Sequence, residues 1–142
     1  VPGLDGQKMS KSYGNDIWIF EEGKKLKKRV GRVVTDSRPP EEPKNPEELF
    51  IFDLLALFLE PAELADWKAK VAAGGEGAPG YGHLKMRLHE AIEVHFAPAR
   101  ARREELLADP AQVDAILEAG AAKARARARE VRDRALAACG LR

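Results

Sequence analysis

With 142 residues, 44% of them hydrophobic and 33% charged, the chain has material for one ordinary domain with a core and is too apolar to be wholly disordered. A single cysteine, Cys139, excludes an internal disulfide; with no signal-peptide pattern and no apolar run long enough to span a bilayer, a reducing, cytoplasmic setting without membrane partners is expected. The net charge of +1 hides its distribution: eight Lys or Arg face four acids in residues 1–34, nine face seventeen in residues 35–120, and seven face two in residues 121–142.

In chain order, residues 1–16 read as a loop, and because Val1–Gly6 has no element before it, the chain reads as a piece of a longer protein. Next comes Lys24-Lys25-Leu26-Lys27-Lys28-Arg29-Val30, where Leu26, Val30 and Val33 share one helical face, so a helix with a lysine-rich outer side is predicted. The stretch "TDSRPPEEPKNPEE" (35–48) is a proline-rich connector. Pro46, followed by Glu47 and Glu48 at the positive dipole end, suits a helix start. The helix predicted over about 47–59, "ELFIFDLLALFL", is apolar around most of its circumference and is expected to be the most buried element.

Glu60-Pro61 breaks that helix, and "PAELADWKAKVAA" (61–73) forms another, ended by the glycine-rich joint "GGEGAPGYG". Over residues 81–96, Tyr81, Leu84, Leu88, Ile92, His95 and Phe96 fall on one stripe. Pro98 is expected to kink or end this run, with helix resuming through Leu106 and Leu107 until Asp109-Pro110 caps and starts the last helix. That helix, about 110–138, contains "AKARARARE", whose alternation has the period of a strand, but Ala and Arg are helix formers. Its small-residue stripe, from Val113 and Leu117 through Gly120, Ala121, Ala124 and Ala128 to Val131 and Ala135, would admit another helix closely. Lys123, Arg127 and Arg134 flank it on one side, and Arg125, Arg129 and Arg132 on the other. No strand emerges, and the predicted class is all-α, a helical bundle.

Chemistry enters with the loop. "GLDGQKMSKS" (3–12) combines glycines for close approach, Lys8 and Lys11 as mobile point charges, and Ser10 and Ser12 as hydroxyl donors, which together suit a phosphate. It is not a Walker loop, since no Gly-x-x-x-x-Gly-Lys-Ser/Thr occurs. Taken by themselves, two lysines around a serine are a common pattern and read more readily as a solvated loop.

"KMSKS", however, is the second signature of class I aminoacyl-tRNA synthetases, and "PGLDGQKMSKSYGN" resembles its setting in the tryptophanyl and tyrosyl enzymes. Three further stretches resemble the bacterial tryptophanyl family in the right order: "RVVTDS" (32–37), "YGHLKMRLHEAI" (81–92) and "GAAKARARA" (120–128). The tyrosyl family, which lacks the "YGHLK" helix, is the runner-up. The resemblance implies ATP-dependent activation of L-tryptophan to tryptophanyl-adenylate and transfer to tRNA(Trp). It implies that Lys8 and Lys11 are catalytic and that Lys8, Met9, Ser10, Lys11 and Ser12 meet the ATP phosphates, usually with Mg2+, Met9 anchoring the loop. It divides the chain into residues 1–17, the edge of a catalytic domain, and residues 18–142, a helical anticodon-binding domain. The nucleotide-binding α/β half, with its first signature and its tryptophan pocket, has no counterpart in these residues. The chain alone is therefore expected to be inactive, the loop to take its order from that half, and a homodimer to form mainly through it.

Arg125, Arg129 and Arg132 are candidates for tRNA phosphates, against a solvated helix rich in arginine for solubility. The lysine run at 24–29 reads as the charged outer face of a packed helix, with an approach to tRNA or to the ATP site as the alternative. His83, His89 and His95 are six residues apart, which on a helix points successive rings away from one another, so no metal site is expected. Trp18 and Trp67 read as packing residues, and Cys139 as inert. A stand-alone helical nucleic-acid-binding module and a helical protein-interaction domain remain open readings of the residues themselves.

Overall fold

The structure, a computed structural model, describes residues 1–141. Five α-helices follow one another: α1 (Gly23–Gly31), α2 (Ile51–Leu55), α3 (Pro61–Ala73), α4 (Tyr81–Ala108) and α5 (Pro110–Ala138). Among the described residues there is no strand, only an isolated antiparallel bridge between Pro2 and Lys8, so the all-α expectation holds. No helix of the described residues is long and apolar enough to cross a membrane. The chain forms two compact units, one ending at Pro98 and the other beginning at Ala99.

The core of the first unit is built as the periodicity requires. Leu26 and Val30 of α1 are fully buried, as is Val33 just beyond it, and they meet Leu84, Leu88 and Ile92 from the predicted stripe of α4. Residues 51–59 supply the centre, with Ile51, Phe52, Leu54, Leu55 and Leu59 all buried. Truncating any one of these leucines would cost about 2–5 kcal/mol through lost burial and the cavity left behind.

The predicted helix over 47–59 is shorter than expected. It divides into a 3-10 turn at Pro46–Glu48, the five-residue α2, and further turns, with Leu49 extended at φ −104°, ψ 93°. A straight helix apolar on all sides would leave part of its circumference facing water. Broken turns instead wrap the same side chains around one interior. Asn45 starts the segment by accepting the Glu47 N–H at 3.1 Å.

Pro98 neither ends nor divides the helical run, because α4 continues through it to Ala108. The carbonyl that loses its donor belongs to Val94, which is 76% exposed, so water can take the bond. Asp109 does stand before the last helix, though without a side-chain cap bond.

In the second unit, no residue of α5 is buried among those described. Leu117 and Val131 are exposed, and nothing lies within 4 Å of a Cβ built at Gly120. The small-residue stripe therefore has no close helical neighbour there.

The connector at 35–48 has a defined anchor. Lys44 is buried, yet its ammonium donates to the carbonyls of Pro39 at 2.5 Å, Glu42 at 2.8 Å and Pro40 at 3.4 Å, which replaces the water it gave up. The turn after α3 packs on the same connector: Gly75 N–H donates to Glu41 O at 2.8 Å, and at Gly74 (φ +62°) a Cβ would come within 2.6 Å of Glu41 O. Only glycine fits that approach.

Candidate functional site

The loop at residues 1–16 is organised around one side chain. Asn15 is 3% exposed. Its Oδ1 accepts the Ser10 N–H at 2.8 Å, and its Nδ2 donates to Asp5 Oδ1 at 2.8 Å and to Lys8 O at 3.2 Å. Its own carbonyl accepts the Leu4 N–H at 2.8 Å. Gly3 permits this hub, since a Cβ there would lie 2.5 Å from Asn15 Cγ. Met9 N–H donates to Val1 O at 3.1 Å and Gly3 N–H to Gln7 O at 2.6 Å, so the strands of the loop close on each other. Leu4 is buried in the core, and Val34 N–H donates to Leu4 O at 2.7 Å. The expectation that the loop has no order of its own is thus corrected: its frame is tied to the helical core.

On this frame the candidate residues divide by role. Lys8 and Lys11 are exposed, and among the described residues neither ammonium meets a carboxylate. Ser10 caps the 3-10 turn Lys11–Tyr13 by accepting the Ser12 N–H at 3.3 Å. Ser12 is exposed, whereas Met9 is half-buried and packs on the core, the anchoring place expected of it. Lys11 also borders an open cleft of about 330 Å3 whose other lining residues are Asp16, Ile17, Trp18, Ile19 and Phe20. Two cations without a carboxylate partner, over a hydrogen-bonded backbone and with Ser10 between them, can hold a polyanionic group.

Trp18 differs from its expected packing role. It is half-exposed, and the Arg29 guanidinium, held by Glu21 at 2.5 and 2.6 Å, lies 5.3 Å from its ring centroid. Trp67 does pack against the core.

A second polar constellation ties the "TDS" and "YGHLK" stretches together. The Tyr81 hydroxyl donates to Asp36 Oδ1, and Arg38 Nε donates to Asp36 Oδ2 at 2.7 Å. Arg38, and then Tyr81, hold the Asp36 carboxyl down at about 2, while burial, and then Asp36, push the Tyr81 phenol up to about 12. Lys44 Nζ stands 5.6 Å from the Tyr81 ring centroid. On the same helix, Lys85 donates to Gly31 O at 3.2 Å, and burial pushes its ammonium down from the ordinary lysine range.

A family model described as tRNA synthetases class I (W and Y) matches residues 1–97. The chain belongs to the class I tRNA synthetase family. It is 52% identical to the tryptophan–tRNA ligase of Rhodopirellula baltica over 142 residues, covering all of this chain and 43% of that relative. It is 42% identical to the tryptophan–tRNA ligase of Neisseria meningitidis, covering 99% of this chain and 40% of that protein. Among solved structures it resembles a Campylobacter jejuni tryptophanyl-tRNA synthetase complexed with ADP and tryptophan, with a TM-score of 0.86 and 40% identity over 99% of this chain and 43% of that one. The chain therefore spans about two-fifths of the length of the synthetases it matches.

In this synthetase chain the arginines of α5 are exposed but unequal. Arg132 pairs with Asp133 at 2.8 Å and Arg127 with Glu130 at 2.7 Å, while Arg125 and Arg129 meet no carboxylate among the described residues. The three histidines have local partners: His83 accepts the Gly80 N–H at 3.2 Å, His89 lies 3.4 Å from Glu93, and His95 packs edge-on to Phe58 at 5.2 Å. Sequence reasoning missed Asn15, Asp5, Asp36 and Tyr81 as working residues. Each lies inside a stretch that the family resemblance singled out, but nothing local in the sequence marks its partners.

Proposed function

We propose that this chain is the C-terminal part of a tryptophan–tRNA ligase, which with the rest of the full-length protein activates L-tryptophan with ATP and transfers it to tRNA(Trp). The observation that carries this reading is the loop: Lys8 and Lys11 stand exposed and free of carboxylates on a backbone that Asn15 holds in shape. As the tryptophan carboxylate attacks the α-phosphate of ATP, negative charge grows on the departing pyrophosphate. Cations that tighten on that charge in the transition state raise the rate rather than only the affinity. Lys8 and Lys11 supply those cations, Ser10 and Ser12 hold or donate at the phosphates, and Met9 seats the loop on the core.

Mg2+ accompanies ATP in this reading. Bound with the nucleotide, it would add positive charge at the phosphates beside Lys8 and Lys11. Residues 1–17 serve the catalytic domain, and residues 18–142 receive the tRNA, with Arg125, Arg129 and Arg132 of α5 at its phosphates. The homodimer forms mainly through the part of the protein outside this chain, and light scattering of the full-length protein tests it.

The deciding experiment is tryptophan-dependent ATP–pyrophosphate exchange by the full-length protein, with Lys8→Ala and Lys11→Ala beside the wild type. Each variant is expected to lose about 100-fold or more in exchange, the scale of removing one preorganised electrostatic contact. Wild-type rates in both variants would remove the assigned role of the loop.

A further inference from the structure

Helix α1 presents a charge pattern that its own stability does not explain. Residues 23–32 hold six basic residues and no acid. Leu26 and Val30 are fully buried, and Lys24, Lys25, Lys27, Lys28 and Arg32 are all exposed. Elsewhere in the chain many cations are matched: Arg38 pairs with Asp36, Lys68 with Glu47, Lys70 with Asp66 and Arg87 with Glu63. On α1 itself only Arg29 is paired, to Glu21. Among the described residues, Lys24, Lys25, Lys27, Lys28 and Arg32 meet no carboxylate.

The first turn of α1 holds Lys24 and Lys25 and no acid of its own; the carboxylate at this end of the helix comes from α4, where Glu93 Oε1 accepts the Gly23 N–H at 2.5 Å, beside Glu22 at the N-cap. Lys24 also faces Lys27 and Lys28 at the (i, i+3) and (i, i+4) spacings at which like charges repel. Lys85 adds a further cation: its Nζ lies at the Gly31 carbonyl, beside Lys27, in a shallow notch of about 180 Å3 completed by Gly82 and Met86. On the other flank, Lys25, Lys28 and Arg32 border a second hollow of about 200 Å3 together with the paired Glu21 and Arg29, and from Lys25 to Arg32 the helix rises about 10 Å.

We infer that the outer face of α1, with Lys85 of α4, is a docking surface for the sugar-phosphate backbone of RNA. A row of negative phosphates would relieve the repulsion among Lys24, Lys27 and Lys28, none of which meets a carboxylate among the described residues. The composition favours RNA over protein, because lysine is depleted at protein–protein interfaces, which rely on aromatic and apolar anchors, whereas lysine point charges suit phosphodiesters. The inference rests on the proposed function for the identity of the RNA, a tRNA, and adds a surface separate from the loop and from α5.

The test uses the full-length protein and tRNA, with binding measured by fluorescence anisotropy over a series of KCl concentrations. Lys24→Gln, Lys25→Gln and Lys28→Gln are combined in one variant, since glutamine keeps helix propensity and removes charge. The slope of log K against log salt is expected to become shallower by about two to three, with affinity several-fold weaker at about 100 mM salt. The matching triple arginine variant should keep the wild-type slope. Tryptophan-dependent pyrophosphate exchange, which involves no RNA, should be unchanged, and circular dichroism should show the same helix content. An unchanged salt slope in the glutamine variant overturns the inference, as does an equal loss in the arginine variant, which would mark the lysines as structural. Absence of exchange in the wild type would instead remove the proposed function, so the two failures are separable.

Discussion

Asn15→Ala tests whether the loop owes its shape to one buried amide. The substitution removes three hydrogen bonds: the one to Asp5, which water can replace, and two that satisfy the partly buried Ser10 N–H and Lys8 C=O at 2.8 and 3.2 Å. Each of the latter two contributes about 0.5–1.5 kcal/mol, so the framed loop should lose about 1–3 kcal/mol relative to its opened forms. At about 1.4 kcal/mol per factor of ten, that is roughly a five- to hundredfold change in population. Hydrogen exchange reads it directly in the chain itself: the Ser10 amide should exchange faster by that factor, while the amides of α1 and α4 in the core should change little. In the full-length protein the Michaelis constant for ATP should rise at least several-fold. Gly3→Ala reaches the same hub from the other side, because its Cβ would fall 2.8 Å from Asn15 O. Unchanged Ser10 protection in Asn15→Ala would refute the argument and leave the backbone bonds of Gly3, Leu4 and Met9 as a sufficient frame.

Other outcomes follow from the core and from the Asp36–Tyr81 pair. Leu26→Ala, at a fully buried position, should lower unfolding stability in urea by about 2–5 kcal/mol, whereas Leu117→Ala, at a position 64% exposed, should stay within about 0.5 kcal/mol. The difference in alkaline absorbance between wild type and Tyr81→Phe should titrate near 12, and Asp36→Asn should move that titration toward the ordinary tyrosine range. Because the Tyr81 pKa is raised, its contribution to stability is present below about pH 10 and is lost as pH rises through about 12. Because the Asp36 pKa is depressed to about 2, its contribution is present above about pH 4 and is lost as pH falls through that value. The urea midpoint difference between wild type and Asp36→Asn should therefore be flat between about pH 4 and 10 and shrink on both sides; a difference that persists at pH 2 would show that the pair contributes nothing through charge.

What was legible in the sequence is what depends on periodicity and on local chain chemistry. Leu26, Val30 and Val33 announced one face of α1, and Leu84, Leu88 and Ile92 one face of α4, because a buried stripe leaves a trace at every third or fourth residue. Pro61 and Gly74 marked the ends of α3 for reasons of backbone geometry alone. The misread segment, 47–59, has no polar face, so periodicity could say that it was buried but not how it would bend to be so. The hub at Asn15 was hidden for a different reason: its partners Asp5, Lys8 and Ser10 are ordinary loop residues, and only closure of the chain brings them together. Asp36 and Tyr81 stand 45 positions apart, beyond the reach of any local pattern, although each lay inside a stretch that the family resemblance had singled out.

Lysine shows most clearly why residue type had to be joined to structure. Lys44 is buried among carbonyls and holds a connector; Lys68 and Lys70 are bound to Glu47 and Asp66; Lys85 is half-buried against a helix end. The charges of Lys44, Lys68 and Lys70 already have partners within the fold, so an incoming anion would have to compete for them, whereas Lys85 meets only a carbonyl. Lys8 and Lys11, the exposed lysines of α1 and Lys123 of α5 meet no carboxylate among the described residues, and the first two groups are the ones proposed to meet phosphates. The two groups still differ in kind. The loop pair sits on a backbone closed by hydrogen bonds and tied to the core through Leu4 and Val34, so both side chains start from fixed backbone positions and suit a charge that develops at one point. The α1 lysines line a continuous helix face and suit a charge repeated along a strand. On that distinction the loop should govern the rate of adenylate formation and α1 the salt dependence of RNA binding, and a variant in either place should leave the other measurement where it was.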